Sequence, residues 1–305
     1  MDTARPAAEI LNLNWDQVEL VWGDSSRGMP RSSVQAGSQT THAHSRANHA
    51  AGMDARAKVL EVAAQTLGGS PSNYDMDNGR VFRRGGGASM TFAQVAERAI
   101  ELGGKYDGHE LPDNIHATTV PAANILAGQG LMGVARDNYG GSGGVYSWVA
   151  GFALVELDRE TGVVAIKEYV AVTDCGTVLH PRSLGAQVLG GSVQGMGQAM
   201  TQRWVFDPKW GVPFANRLYT ARPPGILDVP LDMKVDAVGI ADPQTPVGAK
   251  GIGEPPVGAG GAALTSAVAD AMGGICLCRT PLTPDIILME LEGLKQPFTL
   301  EQHIG

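Results

Sequence analysis

Cysteine is scarce in this sequence, with 3 residues among 305. A disulfide framework requires more cysteines, and an iron–sulfur cluster requires four ligands, so the chain by itself has too few for either. The simplest interpretation is a protein of a reducing compartment, and we expect a cytoplasmic location. Export to the periplasm together with a partner is the alternative.

Positive charge and long apolar runs are also lacking. The chain has 23 basic and 31 acidic residues, a net charge of −8, which argues against a nucleic-acid-binding surface. No apolar run approaches the length of about 18 residues that predicts a membrane-spanning helix. The first ten residues lack the basic and then apolar layout of a secretory signal peptide.

Glycine, by contrast, is abundant. The 41 glycines are about 13% of the chain, nearly twice the usual ~7%, and they occur in clusters without a collagen period. The chain length allows two medium domains, and we predict one over residues 1–140 and another over residues 141–305. The apolar pattern starts so early that we expect the chain to be one part of a larger assembly.

Apolar periodicity predicts helices and strands without strict alternation, which indicates an α+β fold. The predicted elements are helices over 4–13, 45–67, 92–100, 183–204, 262–272 and 284–291, and strands over 18–21, 80–83, 152–157 and 163–173. Residues 108–146 and 246–261 are predicted to be irregular because glycine and proline interrupt them.

The densest chemical signal is the glycine-rich segment from Gly248 to Gly258. Its glycines let the backbone approach a ligand closely, and Lys250 adds a positive charge. Glu254 precedes two prolines, so we predict an extended, rigid backbone that positions its carboxylate as a general base beside a deep cleft. The alternative is a surface turn with a solvated glutamate, which bare physics favours by about two to one because glycine-rich turns are common.

Five segments in order resemble the xanthine dehydrogenase/aldehyde oxidase family of molybdenum hydroxylases. The segment from Gly248 to Pro256 is similar to the family's active-site loop. The other similar segments are 23–25 with 36–41, 156–163, 174–181 and 186–197. The resemblance covers nearly the whole chain, is weakest over 108–147, and departs from the family at His180, where asparagine is usual. It identifies the family's second cofactor-binding domain, without the first.

The resemblance implies specific roles for residues. Glu254 would be the general base in a hydroxylation whose oxygen comes from water. The residues implied to contact a molybdopterin-type cofactor are Gly37, Ser38, Gln39, Thr40, Gln187, Lys250, Gly251, Ile252 and Gly253. No protein residue would ligate the metal, because the cofactor itself carries it.

The same resemblance implies partners and further cofactors. The first cofactor-binding domain would lie on another chain, and a [2Fe-2S] subunit, with FAD or another redox centre, would remove two electrons. The cytosine dinucleotide form of the cofactor, and aldehyde or N-heteroaromatic substrates, all stay open. Alternative functions are a non-catalytic scaffold subunit and a hydratase that uses the same cofactor.

Other residues give weaker signals. His42, His44 and His49 lie close in sequence but lack acidic or cysteine partners, so a polar cluster at a helix start is favoured over a metal site. Cys276 and Cys278 are predicted to be buried structural thiols, and Cys175 a packed thiol at a strand end. The glycine cluster 140–144 is predicted to be a flexible loop.

Overall fold

The structure is a computed structural model that describes residues 2–24, 26–32, 34–137, 139–140, 144–275 and 277–294. Within these limits the chain divides into two compact units. The first consists of Met1–Val145 with Ala241–Gly251, and the second of Tyr146–Ile240 with Ile252–Gly305. The predicted division placed a single border between residues 140 and 141 and did not include the return of 241–251 to the first unit.

The first unit packs helices against a small antiparallel sheet. Its helices are α1 (Arg5–Ile10), α2 (Thr40–Leu67), α3 (Phe92–Leu102) and α4 (Val120–Leu126), and its strands are β1 (Tyr74–Asp77), β2 (Arg80–Arg83) and β3 (Ser89–Thr91), in the order β1-β2-β3. Val62 of α2, Val81 of β2 and Val95 of α3 are fully or almost fully buried together in one core. Gly68, at φ +83°, ends the long helix α2.

The second unit packs helices on a three-stranded sheet. Its strands are β4 (Trp148–Leu157), β5 (Val164–Asp174) and β6 (Asp232–Ala237), and its helices are α5 (Pro181–Met200), α6 (Leu218–Ala221), α7 (Pro255–Ala271) and α8 (Pro284–Leu291). The strands β4 and β5 form an antiparallel hairpin, and β6 pairs with β5 in parallel. Tyr169, Val188 and Leu264 are completely buried in the core of this unit.

Several predicted elements are confirmed. The hairpin has the predicted turn at Asp158, the terminal helix has the predicted bounds, and mixed helices and sheets make the α+β class correct. Thr91 caps α3 as expected, because its hydroxyl accepts a hydrogen bond from the Gln94 amide at 3.2 Å.

Other predictions were wrong. Residues 18–21 form no strand, since this short apolar run is partly exposed and pairs with no described strand. Helix α4 lies inside the stretch predicted to be irregular, and β6 was not predicted. Helices α5 and α7 begin at Pro181 and Pro255, two and seven residues before their predicted starts. Proline is favoured in the first turn of a helix, where no amide donor is needed, so here it begins a helix and does not mark a loop.

Candidate functional site

The loop before α2 has an unusual backbone. Gly37 and Ser38 have φ of +62° and +55°, and Gln39 occupies the N-cap position of the helix. The Ala43 amide donates a hydrogen bond of 2.8 Å to the Gln39 carbonyl, and the Thr40 hydroxyl donates to the Gln35 side chain. Successive left-handed residues before a helix turn amide groups toward one side, as in loops that bind anions.

The first unit brings this loop against Gly251. A Cβ atom built on Gly251 would lie 1.4 Å from the Ser38 carbonyl oxygen and 3.5 Å from the Gln39 amide nitrogen. No side chain fits at such a distance, so glycine is required by the close approach of two backbones. Two segments that the sequence analysis singled out separately are therefore in direct contact.

The residues that precede Gly251 at this contact are buried. Lys250 is only 8% exposed and Ala249 is completely buried. Two polar atoms of this unit, Nδ1 of His42 and the Thr245 hydroxyl, are buried and have no hydrogen-bond partner among the described residues. A buried polar atom without a partner costs about 1–3 kcal/mol, which makes these two atoms available to a polar ligand.

Arg46 holds the segment after residue 240 on α2. Its guanidinium donates to Asp137 at 2.6 Å, to the Tyr139 carbonyl at 2.7 Å and to the Gln244 carbonyl at 3.5 Å. Burial lowers the pKa of His42, one helical turn earlier, and the Arg46 charge lowers it further, against the opposing effect of nearby carboxylates. Arg46 was not among the predicted site residues, although its i,i+4 spacing from His42 was visible in the sequence.

The second unit brings Gln187 to the middle of the glycine-rich segment, at Gly253. Its side-chain amide nitrogen donates to the Gly253 carbonyl at 3.5 Å, and both Gln187 and the adjacent Glu254 are exposed. Close packing of α5 on α7 fixes this arrangement, since a Cβ atom on Gly191 would lie 2.9 Å from Cβ of Pro256. The pair offers an exposed carboxylate, which can accept a proton, next to an amide that both donates and accepts hydrogen bonds.

The backbone of Glu254 differs from its prediction. The residue lies at the N-cap of α7 with φ −93° and ψ −34°, which is helical and not extended. Glu254 is also exposed on this chain, and its expected position beside a deep cleft stays a prediction. Helix α7 supplies the rigidity that the sequence analysis assigned to an extended proline segment.

The remaining cofactor-contact predictions fall on two kinds of position. Gly37, Gln39 and Thr40 are exposed, whereas Ile252 is 8% exposed and packs in the core of the second unit. The side chain of Ile252 therefore has a structural role, and only its backbone groups are available to contact a ligand.

The other candidate residues have structural roles or stay untested. No cluster of three or more histidine, cysteine or acidic side chains suited to a metal was found among the described residues. Cys175 is buried at the end of β5 as predicted, but Cys278 is exposed, so its predicted burial was wrong. It lies in the connection between α7 and α8, after the glycine turn at Gly273 and Gly274. Cys276, Ser25 and residues 141–143 lie outside the described residues.

No helix in the described part of the chain combines the length and the apolar character needed to cross a bilayer.

Comparison with known proteins finds several enzymes with similar sequences. The chain is 27% identical over 286 residues to a probable hypoxanthine oxidase of Escherichia coli, which covers 94% of this chain and 27% of the relative. It is 25% identical over 293 residues to the nicotine 6-hydroxylase large subunit of Paenarthrobacter nicotinovorans, covering 95% of this chain and 33% of the relative. The chain thus spans about a third, or less, of the length of these relatives.

The fold has a counterpart among solved structures. The crystal structure of a Cu,Mo-CO dehydrogenase in its carbon monoxide reduced state matches with a TM-score of 0.73 at 24% identity, over 96% of this chain and 34% of that one. Residues 1–230 match the family profile of the molybdopterin cofactor-binding domain, a range that includes Gln187 and the loop before α2 but not Glu254. The chain belongs to the molybdopterin cofactor-binding domain family of the molybdenum hydroxylases.

Proposed function

We propose that this chain is the cofactor-binding part of a larger molybdenum hydroxylase that oxidises an aldehyde or an N-heteroaromatic carbon with oxygen from water. The relatives named as a hypoxanthine oxidase and a nicotine 6-hydroxylase support this proposal. Because the chain spans about a third of their length, the activity belongs to the assembly that this chain forms with other polypeptide segments.

The residues of the first unit fit a polar, anionic cofactor. The contact between Gly251 and Ser38 leaves two backbones without intervening side chains. In the same unit, Nδ1 of His42 and the Thr245 hydroxyl are buried and have no hydrogen-bond partner within the described part of the chain. Amide groups of Gly37 to Thr40 would bind a phosphate or the pterin edge. Lys250 would contribute a positive charge that offsets the charge of the cofactor.

Gln187 and Glu254 have distinct roles in this proposal. When bound, the molybdenum cofactor supplies the two-electron redox chemistry. Gln187 would orient the pterin through its amide group. Glu254 would act as the general base and accept the proton that is lost when oxygen from water is transferred to the substrate. A carboxylate must be ionised to do this. Its exposure on this chain means that the walls which exclude water from it come from other segments of the assembly.

We further propose the composition of that assembly. It includes a polypeptide with the first cofactor-binding domain, a [2Fe-2S] subunit and a flavin or other redox subunit, and it is located in the cytoplasm or exported as a complex to the periplasm. The cytosine dinucleotide is one option for the cofactor. The names of the relatives as a subunit gamma and a large subunit of their enzymes support a multi-subunit arrangement.

The observation that carries the proposal is the hydrogen bond from Gln187 to the Gly253 carbonyl, immediately before Glu254. This hydrogen bond brings the two most specific family segments of the second unit into contact at an exposed polar site. A solvated glutamate in an unrelated surface turn would have no reason to adjoin a glutamine from α5.

The test is Glu254→Gln in the assembled complex purified from its source. We expect turnover to fall at least a hundredfold, since general-base contributions are about 10²–10⁴-fold, while molybdenum and pterin contents stay unchanged. The matched control is Glu160→Gln in the exposed β4–β5 turn, which should keep full activity.

Other outcomes favour the alternatives. Full activity of Glu254→Gln would refute the base assignment and support a scaffold role for this chain. Molybdenum without any transfer of electrons to a redox dye, together with addition of water to an activated double bond, would support the hydratase alternative. A complex without molybdenum or pterin would refute the proposed function itself.

A further inference from the structure

A long segment of the second unit exposes an unusual number of large apolar side chains. This arm, residues 201–231, connects α5 to β6. Seven of its large side chains are at least 72% exposed: Trp204, Trp210, Leu218, Tyr219, Ile226, Leu227 and Leu231. Together they present on the order of 900 Å² of largely apolar surface. The largest apolar patch of a typical monomer is about 300–600 Å², whereas each side of a stable interface buries about 800 Å².

The arm is nevertheless ordered by its own hydrogen bonds. Amides of Phe214 and Asp207 donate to the Val205 and Val212 carbonyls at 2.8 and 2.9 Å, which closes a short hairpin. Arg222 pairs with Asp228 at 2.7 Å in the part that follows. These bonds order the arm locally, while its seven large apolar side chains are exposed.

The arm is also fixed to the body of its unit. A Cβ atom on Gly197 of α5 would lie 2.6 Å from Cδ of Pro224, so the arm packs closely on that helix. At its base lies a cleft of about 730 Å³, whose lining includes the two basic residues Arg203 and Arg279 and the side chains of Trp204 and Phe206. A fixed, ordered and apolar surface of this kind is typical of an interface.

The charge of the arm restricts its partner. Residues 201–231 contain four basic and two acidic side chains, a net charge of +2, in a chain whose net charge is −8. A symmetric contact between two copies would place these basic arms against the same surface, which like charges oppose. A different polypeptide with an apolar and acidic surface is complementary to the arm.

We propose that the arm is the docking surface for the polypeptide that carries the first cofactor-binding domain. The partner's identity rests on the proposed function, because the chain covers only 27–33% of two relatives whose remaining length has no counterpart here. Aromatic and leucine side chains of the arm are buried in that contact, and an acidic group of the partner enters the cleft beside Arg203 and Arg279.

The test places a photo-crosslinking amino acid at position 210 of the tagged full chain, expressed in its source cell. The control carries the same amino acid at position 159, in the exposed β4–β5 turn. After irradiation, mass spectrometry should find a crosslink from position 210 to a polypeptide that matches the relatives over the part this chain does not cover. A crosslink only to another copy, only to a protein without that match, or to nothing would overturn the proposal.

A double variant supplies the second measurement. Trp210→Ser with Leu227→Ser changes side chains that are 72% and 97% exposed, so the urea midpoint of the isolated chain should stay within error of the wild type. Recovery of the partner in the purified complex should fall at least tenfold, as expected when two central apolar side chains of an interface are removed. Unchanged recovery would contradict the docking surface.

The two proposals fail separately. Glu254→Gln should leave recovery of the partner unchanged, because the complex does not need the base to assemble. A crosslinked partner in a complex that lacks molybdenum would preserve the docking surface and refute the proposed function. A molybdenum-loaded, active complex with no crosslink from position 210 would preserve the proposed function and refute the docking surface.

Discussion

The packing of α5 on α7 provides the sharpest stability prediction. Gly195 of α5 faces α7 so closely that a Cβ atom would lie 2.0 Å from the Val257 carbonyl oxygen and 2.7 Å from the Gly261 amide nitrogen. Both are backbone atoms, so no side-chain rotation relieves the overlap, and the helices must move apart by more than 1 Å to restore ordinary contact distances of about 3.4 Å.

The magnitude follows from two opposing effects. Overpacking that displaces backbone costs about 3 kcal/mol, whereas replacing glycine by alanine inside a helix contributes up to about 1 kcal/mol of stability. We therefore expect Gly195→Ala to lower the free energy of unfolding of the second unit by about 2 kcal/mol.

Gly190→Ala in the same helix is the matched control. Gly190 is exposed, and a Cβ atom there would have no heavy atom within 4 Å, so this variant should gain about 0.5–1 kcal/mol from helix propensity alone. Urea unfolding followed by circular dichroism compares the two. Equal midpoints for Gly195→Ala and Gly190→Ala would refute the close-packed arrangement, and with it the means by which α5 holds the start of α7 and Glu254.

Three further predictions concern the first unit. Asp54→Ala should cost about 3 kcal/mol in urea unfolding, because it leaves the ammonium of Lys58, which is 5% exposed and lies 2.6 Å from Asp54, without its charge partner. Folding lowers the pKa of His42, mainly because the side chain is buried. Its contribution to stability is therefore complete above the unfolded pKa of about 6.5 and is lost as the pH falls through the folded pKa. We expect His42→Asn to reduce the drop in the urea midpoint between pH 7.5 and pH 5.5. Thr91→Ala should cost about 1 kcal/mol by the same assay, because it removes the acceptor for the Gln94 amide at the start of α3.

Local patterns in the sequence were sufficient for several parts of this fold. Alternating apolar residues and the turn that starts at Asp158 and ends at Gly162 predicted the hairpin of β4 and β5, because strand pairing across a short turn depends mainly on nearby residues. The threonine and glutamine around α3 predicted its cap for the same reason. Family motifs also identified the glycine-rich segment and Gln187, since a close backbone approach restricts which residues can occupy a position.

Elements that depend on distant partners could not be predicted in this way. Strand β6 forms only because it pairs in parallel with β5, and its own six residues give little signal. Pro255 and Pro256 are compatible with either a loop or the first turn of a helix, and packing of Pro256 against Gly191 of α5 decides for the helix.

The sequence by itself singled out the residues to which we assign the chemistry as a proposal: the glycines of the close approach, Gln187 and Glu254. Only the tertiary structure decided how they are arranged. It placed Ser38 against Gly251 and Gln187 beside Gly253, left Glu254 exposed on this chain, and turned the apolar side chains of residues 201–231 outward. Chemical capacity belongs to a residue type and is visible locally, whereas proximity and burial arise from packing between segments that are far apart along the chain.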